Sequence, residues 1–531
     1  MANTNVAPNM NTRILPINPT QFGTFHEDES SDLPLEDWSV ELGKTADAEH
    51  IRNAARQLKE SDIPVAFPTE TVYGLGADAT RSLAVRGIYA AKQRPSDNPL
   101  IVHFASINQL RRLLQPHDTH DGSKQDPIPE IYKPLIRKFW PGPLTIILPN
   151  PDNSTLAPEV TAGLSTFGAR MTRDLTALVM IKLADVPVAA PSANASTKPS
   201  PTAAEHVLHD LAGRIELILD GGPCDVGVES TVVDGLSTPP AVLRPGGISL
   251  GQLRQCEGWE NTVIGYKDAS ADKDARPRAP GMKYRHYSPK APVILFEAGG
   301  KAPALEDFRA HLGQRRTLGI VRTKTWERFA KLEATPPESQ QQQTDSSVDS
   351  ASATNGDKDG EAAQADMSVE IQAHITGSEE YVPTDEASLN NLEAGIQAQS
   401  LDELLAAAGY SIVEEETGAV TSSKAQQQLE GVAQRSPITE MLGEFKRHRK
   451  HKIERYATTG SGASGESAVV VWDLQLGPDT DGIARGLFSA LRDMDAKDVD
   501  AIIVEGVDDD ENDAAAAIMN RLRKAAEVKV S

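Results

Sequence analysis

The sequence predicts a two-domain α/β protein. Helical and strand-like patterns alternate from Asp47 to Gly251. A second α/β pattern begins at Val293 and resumes at Val469 after a long polar stretch. At 531 residues the chain is also too long for one ordinary core.

A short strand is expected near Arg13–Ile17, within a loose leader that runs to residue 46. Ala48–Lys59 reads as a helix and Val65–Phe67 as a strand, with a second helix at Leu83–Lys92 that stops before Pro95. Leu100–Ala105 is the next strand, and Ile131–Phe139 a helix ended by Pro141-Gly142-Pro143. Thr145–Leu148, Phe167–Met171 and Val186–Ala190 are short apolar strands. Thr202 followed by Glu205 has capping-box spacing and predicts a helix start. Ile215–Leu219, Thr231–Val233 and Ala241–Leu243 complete the first set of strands, so this domain spans 47–256. Residues 257–290 read as a linker whose last part, Ala279–Pro289, is dense in Lys, Arg, His and Tyr. The second domain, 291–531, has strands at Val293–Phe296, Leu318–Val321, Val469–Trp472 and Ala501–Val504, with helices at Gly482–Met494 and Ala514–Ala526. A Gln-, Ser- and acid-rich insertion interrupts it at about 334–442, too poor in apolar residues to fold alone.

The formal net charge is −23. Ala334–Leu442 holds 20 Asp/Glu against 3 Lys/Arg, so about −6 is left for the rest, which leaves room for local basic pockets. A chain that merely coats nucleic acid would be basic. The two cysteines, Cys224 and Cys256, form no CxxC or Cys/His cluster, which argues against a disulfide framework or a structural zinc and for a reducing compartment. No apolar run is long enough to span a membrane. The N-terminal residues lack a secretory core, so a cytoplasmic location is expected, with a weak mitochondrial address left open.

No Walker P-loop and no GxGxxG is present, so a bound nucleotide's phosphates would rest on scattered cations and hydroxyls. Lys92-Gln93-Arg94 closes a helix; the pair can cap its C-terminus or, across a short bend, aim at one ligand. Pro68–Gly76 is a hydroxyl- and Gly-rich loop at a strand end, and His103 interrupts an apolar strand. Arg170 and Arg244 fall in or at the end of strands, where each needs an internal carboxylate or an anionic ligand. Ala190-Pro-Ser192-Ala-Asn194 follows another strand, whereas Thr166, Ser200 and Ser230 say little singly. Together, cations and hydroxyls at the strand ends of one domain suit an anion.

The strings FPTETVYGLG (Phe67–Gly76), KQRPSDNPLIVH (Lys92–His103), WPGPLT (Trp140–Thr145), APSAN (Ala190–Asn194), ESTVVD (Glu229–Asp234) and LRPG (Leu243–Gly246), in this order, resemble the threonylcarbamoyl-AMP synthase family. PGMKYRHYSP and the split C-terminal domain ending in AIMNRLRKA resemble its longer two-domain branch. The resemblance implies a YrdC-like twisted mixed sheet with a concave basic cavity, plus a smaller Rossmann-like C-terminal domain. It implies an ATP-dependent nucleotidyltransferase that joins L-threonine, bicarbonate and ATP for tRNA modification, with magnesium bridging the phosphates. By the same resemblance Lys92, Arg94, Ser192 and Asn194 form the catalytic phosphate cradle. Arg94, Asn98, Thr166, Ser192, Ser200, Arg244 and Tyr287 fall on nucleotide contacts, and Thr71, His103, Arg170 and Ser230 on threonine contacts. Lys283, Tyr284, Arg285, His286 and Tyr287 would form a lid, and no residue is assigned to a metal. Thr172 departs from the family's usual Pro and is expected to alter only a loop exit.

Two other readings compete. One is an RNA-binding module without catalysis, to which the basic run Phe445–Arg455 could contribute as a contact to tRNA, a partner or an import receptor. The other is a carbamoyltransferase-like relative acting on another acceptor. Hand-off of product to a tRNA threonylcarbamoyl transferase complex is compatible with the family reading, and direct tRNA binding stays open.

Overall fold

The computed structural model describes residues 10–27, 31–115, 126–266, 286–302, 317–328, 437–438, 441, 452–457, 469–509 and 513–530. The predicted insertion lies almost wholly outside these residues, as do Lys283, Tyr284, Arg285 and the basic run up to His451.

The first domain comprises β1 (Arg13–Pro16), β2 (Gly23–Glu27), β3 (Trp38–Leu42), α1 (Ala46–Glu60), β4 (Val65–Phe67), β5 (Gly74–Asp78), α2 (Ser82–Lys92), β6 (Ile101–His103), α3 (Ile107–Leu114), α4 (Lys133–Phe139), β7 (Leu144–Pro149), α5 (Pro158–Thr161), β8 (Thr166–Arg170), α6 (Leu175–Ala184), β9 (Val188–Ala189), α7 (Ala204–Leu211), β10 (Leu217–Asp220), β11 (Thr231–Asp234), β12 (Ala241–Arg244), α8 (Leu250–Arg254) and β13 (Val263–Ile264). Eleven strands form one mixed sheet in the order β1-β10-β4-β5-β9-β6-β8-β7-β11-β12-β13, and β2 and β3 form a separate hairpin. Its central strands, such as Val65-Ala66-Phe67 and Ile101-Val102-His103, are buried along their whole length, as expected of strands covered on both faces.

Local chemistry explains the helix starts. Thr45 accepts from the Ala48 N–H at the head of α1, and Asp174 accepts from the Ala177 N–H at the head of α6. The capping box expected at Thr202 does not form. Helix α7 starts at Ala204 behind Ala203, while the Thr202 N–H donates to His206 Nδ1. Helix α6 (LTALVMIKLA) is buried nearly all round, so it carries no amphipathic period for a sequence reading to detect. Strand β5 is glycine-rich because it must be: a Cβ on Gly76 would sit 2.6 Å from the Phe67 ring and 2.9 Å from Val188.

The segment read as a loose leader contributes instead to the first domain. Strand β1 pairs in parallel with β10. Phe22, Leu33, Leu35 and Trp38 are buried in the core, and Trp38 Nε1 donates to the Ala105 carbonyl. The predicted linker likewise begins late: Trp259 is fully buried, its Nε1 donating to the Ile131 carbonyl, and β13 pairs with β12. At the far end of the insertion, Ile438 is 1% exposed against the first-domain core and its N–H donates to Glu27 Oε1 at 3.0 Å. Ile438, within the stretch read as insertion, thus packs with the first-domain core.

The second domain contains β14 (Val293–Phe296), β15 (Thr317–Arg322), β16 (Ile453–Ala457), β17 (Val470–Gln475), α9 (Thr480–Ala496), β18 (Ala501–Glu505), α10 (Asp513–Ala525) and β19 (Ala526–Val530). Its sheet order is β16-β17-β15-β18-β14-β19, parallel except for the edge strand β16. The end of the basic run is thus an edge strand of this sheet. Both cysteines are buried, and neither is in a disulfide.

Candidate active site

Strand ends of the first domain converge on one cavity, walled by cations, hydroxyls and apolar side chains. The loop after β4 supplies Thr69, Thr71 and Val72, β6 supplies His103, and β8 ends in Arg170. The loop after β9 brings Pro191 and Ser192, Glu229 and Ser230 precede β11, and Arg244 ends β12. Arg94 enters from the end of α2, and His286 and Tyr287 close one side. Gly246 lets two of these segments meet, since a Cβ there would lie 2.3 Å from the Thr231 nitrogen and 2.4 Å from the Glu229 carbonyl.

Arg170 is the most buried of the three arginines that line the cavity. Its Nη1 donates to Thr71 Oγ1 at 3.0 Å, its Nε to the Gly142 carbonyl at 3.3 Å, and its Nη2 lies 2.8 Å from Glu70 Oε1. Glu70 is thus the internal carboxylate that a strand arginine requires. Burial pushes the Glu70 carboxyl up, but the Arg170 guanidinium and the Thr172 hydroxyl outweigh it and hold the pKa below its ordinary value. Thr172, expected to affect only a loop exit, donates its hydroxyl to Glu70 and accepts from the Asp174 N–H. It therefore stands directly behind the arginine of the site.

Arg244 donates from Nε and Nη2 to the Ser230 carbonyl and from Nη2 to Ser230 Oγ. Burial pushes its pKa down to about 10, against the pull of Tyr287 and Glu229. His103 is pushed to about 3, chiefly by burial and then by Arg170, so its imidazole is neutral; its buried Nδ1 has no hydrogen-bond partner. His286 is held at about 3 by burial and by Arg94 and Lys92.

Lys92 and Arg94 do not aim the same way. Gln93 between them is left-handed (φ 53°, ψ 45°). Lys92 turns inward, where its ammonium donates to the Ser192 carbonyl, to the Asn194 carbonyl at 2.6 Å and to Asn194 Oδ1 at 3.3 Å. An ammonium has three donors, so Lys92 spends all of them on the 192–194 loop and only Arg94 reaches the cavity wall. Ser192 Oγ donates to Asn194 Oδ1 at 2.6 Å, and the Asn194 amide donates to the Ala195 and Lys198 carbonyls. Asn194 therefore braces the loop that presents Ser192.

Of the residues expected to contact nucleotide or threonine, the structure brings Thr71, Arg94, His103, Arg170, Ser192, Ser230, Arg244 and Tyr287 to the cavity. Asn98 and Ser200 are buried behind it, Ser200 donating to Glu229 Oε1 at 2.5 Å. Thr166 begins β8, four residues from Arg170, and does not line the cavity. Sequence reasoning missed Glu70, Thr172 and Glu229 as parts of the site. The demand of a buried arginine for a carboxylate was the available signal for Glu70, which lies in the quoted FPTETVYGLG string. Among the described residues no group of three His, Cys, Asp or Glu side chains is placed to hold a metal ion, and no helix is long and apolar enough to cross a membrane.

Comparison with known proteins adds an independent line. Residues 57–246 match a family model described as telomere recombination (Sua5, YciO and YrdC). Residues 248–367 and 396–527 match the model of the threonylcarbamoyl-AMP synthase C-terminal domain. The threonylcarbamoyl-AMP synthase of Schizosaccharomyces pombe is 48% identical over 340 residues, covering 60% of this chain and 82% of that protein. That of Pyrococcus abyssi is 48% identical over 248 residues, covering 46% of this chain and 68% of that protein. The crystal structure of P. abyssi Sua5 complexed with L-threonine superposes with a TM-score of 0.56 at 28% identity, covering 98% of this chain and all of the other.

Proposed function

This chain belongs to the threonylcarbamoyl-AMP synthase family, and from that premise we propose that it joins L-threonine, bicarbonate and ATP into threonylcarbamoyl-adenylate, with release of pyrophosphate. The observation that carries this reading is the meeting of Arg94, Arg170 and Arg244 with Thr71, Ser192 and Ser230 around one cavity. Three guanidiniums suit a ligand set rich in carboxylate and phosphate.

In the proposed reaction the threonine amine and bicarbonate give a carbamate and water. The carbamate oxygen then attacks the α-phosphorus of ATP, and the bond to the pyrophosphate oxygen breaks. Arg170, held by Glu70 and Thr71, binds the threonine carboxylate through its remaining donor capacity. Thr71 and Ser230 serve the threonine hydroxyl and amine side, with neutral His103 offering polar contact without adding charge. Arg94 and Arg244 stabilise charge on the phosphates, fixed in place before the reaction starts. Lys92 and Asn194 hold the loop that presents Ser192. Asn98, Thr166 and Ser200 belong to the nucleotide side, and Tyr287 with His286 covers the cavity and limits water. Magnesium arrives as part of the ATP substrate, held by phosphate and water oxygens. The product serves threonylcarbamoyladenosine formation in tRNA through a partner transferase, in the cytoplasm.

Purified full-length protein with ATP, bicarbonate, magnesium and each amino acid in turn tests this. Pyrophosphate release is expected with threonine and not without an amino acid. Equal release in its absence, or with all amino acids alike, would overturn the reading.

A further inference from the structure

The second domain reaches the site through two buried arginines. Arg521 of α10 is fully buried; its Nε donates to Glu229 Oε2 at 3.0 Å and its Nη1 to the Pro245 carbonyl at 2.5 Å. Arg492 of α9 is 8% exposed; it grips Asp210, which is 0% exposed, through Nη1 at 3.3 Å and Nη2 at 2.8 Å, and also donates to the Pro199 carbonyl. Burying a guanidinium is costly unless it is paired and hydrogen-bonded. An interface that only needed to adhere would be met by apolar side chains.

The choice of carboxylates is informative. Each uses its other contacts to hold a piece of the site. Glu229 lines the cavity and accepts from Ser200 Oγ at 2.5 Å through Oε1. Asp210 accepts from the Ala195 N–H at 3.1 Å, one residue beyond Asn194, and from Lys198 Nζ at 3.1 Å. In both cases burial raises the carboxyl and the arginine pulls it back below its ordinary value, so both stay charged. The fit between the domains is close: a Cβ on Gly227 would sit 2.3 Å from the Arg485 Cα on α9. Tyr287 packs between the same elements, its ring stacked on Phe488 at 5.1 Å and lying 5.9 Å from the Arg521 guanidinium. Tyr287 is left-handed (φ 66°), a conformation a tyrosine keeps only where its surroundings fix it.

We propose that Arg521 and Arg492 are positioning residues for the nucleotide side of the site, acting through Glu229 on Ser200 and through Asp210 on the 194–200 loop. The proposal rests on the synthase reading above. It makes the C-terminal domain part of the ATP site without contributing a group that touches ATP.

The test uses the full chain and measures ATP and L-threonine binding separately, without turnover, alongside thermal unfolding. Arg521→Met and Arg492→Met are each expected to weaken ATP binding about tenfold or more, with threonine affinity held within about threefold. Arg521→Lys and Arg492→Lys keep the charge and recover part of the loss. Arg523→Met is the control, because Arg523 lies on α10 but pairs with Glu297 and Asp509 inside its own domain; it should leave ATP affinity unchanged. Should the Met variants fail to fold, the Lys variants decide: weakened ATP binding with unchanged threonine binding supports the proposal. Wild-type ATP affinity in folded variants at both positions, or an equal loss in Arg523→Met, overturns it. Threonine-dependent pyrophosphate release by the unaltered protein tests the synthase reading on its own.

Discussion

Arg170→Met is a sharp test of the Arg170–Glu70 pair, because it removes a guanidinium that is 5% exposed and strands a carboxylate that is 3% exposed. Breaking a buried pair by deleting one partner costs about 3–5 kcal/mol. At about 2–4 °C per kcal/mol for a domain of this size, the first domain's transition should fall by roughly 6–20 °C near pH 7.5. The pH dependence is the more discriminating readout. In the unaltered protein Glu70 has a folded pKa below its ordinary 4.5. Its contribution is therefore present above 4.5 and is lost as pH falls through the folded value. Without Arg170 the burial penalty is opposed only by Thr172 and the local backbone, so the folded pKa rises above 4.5 and the charged form is penalised at neutral pH. That penalty is relieved as pH falls toward the raised pKa. Thermal unfolding of both proteins from pH 7.5 to 5 should show the gap narrowing, and the variant should not bind threonine. A gap that stays constant or widens as the solution is acidified would refute the argument that Glu70 depends on Arg170 for its charge.

Replacing Arg94 with Ala should cost roughly 2–4 kcal/mol of transition-state stabilisation, read as a fall in pyrophosphate release with little change in melting temperature; wild-type release would remove Arg94 from the phosphate cradle. Deleting Thr335–Ser436 behind a short Gly/Ser bridge should leave activity and melting nearly intact, since loop closure cost grows only with the logarithm of length. Ile438→Ala, just beyond that deletion, should instead destabilise by about 2 kcal/mol or more, measured by denaturant unfolding. Because His103, His206 and His286 are each held at about 3 by burial against an ordinary 6.5, protonation favours the unfolded chain below pH 6.5. Each residue should remove up to about 1.4 kcal/mol of stability per pH unit there, and neither His103 nor His286 should give an inflection in the rate between pH 5 and 8. A rate profile with a histidine-like step that His103→Asn abolishes would contradict this.

Much of the molecule was legible in the sequence because its determinants are local. The helix over 46–60, the strand over 65–67 and, in the second domain, β14, β15, β17, β18, α9 and α10 carry period, caps and breakers within their own residues, whereas the edge strands β16 and β19 do not. The ordered motif strings contain much of the cavity wall, including Thr71, Arg94, His103, Ser230 and Arg244, since motif residues gather at strand ends in an α/β sheet, while Arg170 stands out as a cation within a strand. Elements without a local signal were lost. Helix α6 is apolar on every face, and β5 is a glycine-rich run that becomes a strand only between β4 and β9. The strand expected near Arg13–Ile17 forms, but residues 18–42 look like a polar leader, and only the parallel pairing of β1 with β10 and the burial of Phe22, Leu33, Leu35 and Trp38 tie them to the first domain. Which way Lys92 and Arg94 point was decided by a left-handed Gln93 and by carbonyls about a hundred residues away, so no spacing rule could assign their roles. The carboxylate partners were equally out of reach: a buried arginine announces that it needs one, but only the packed structure selects Glu70 for Arg170, Glu229 for Arg521 and Asp210 for Arg492. Sequence spacing fixes which groups a chain can offer; tertiary packing removes water from some of them, and it is desolvation that turns a choice of partner into an energetic requirement.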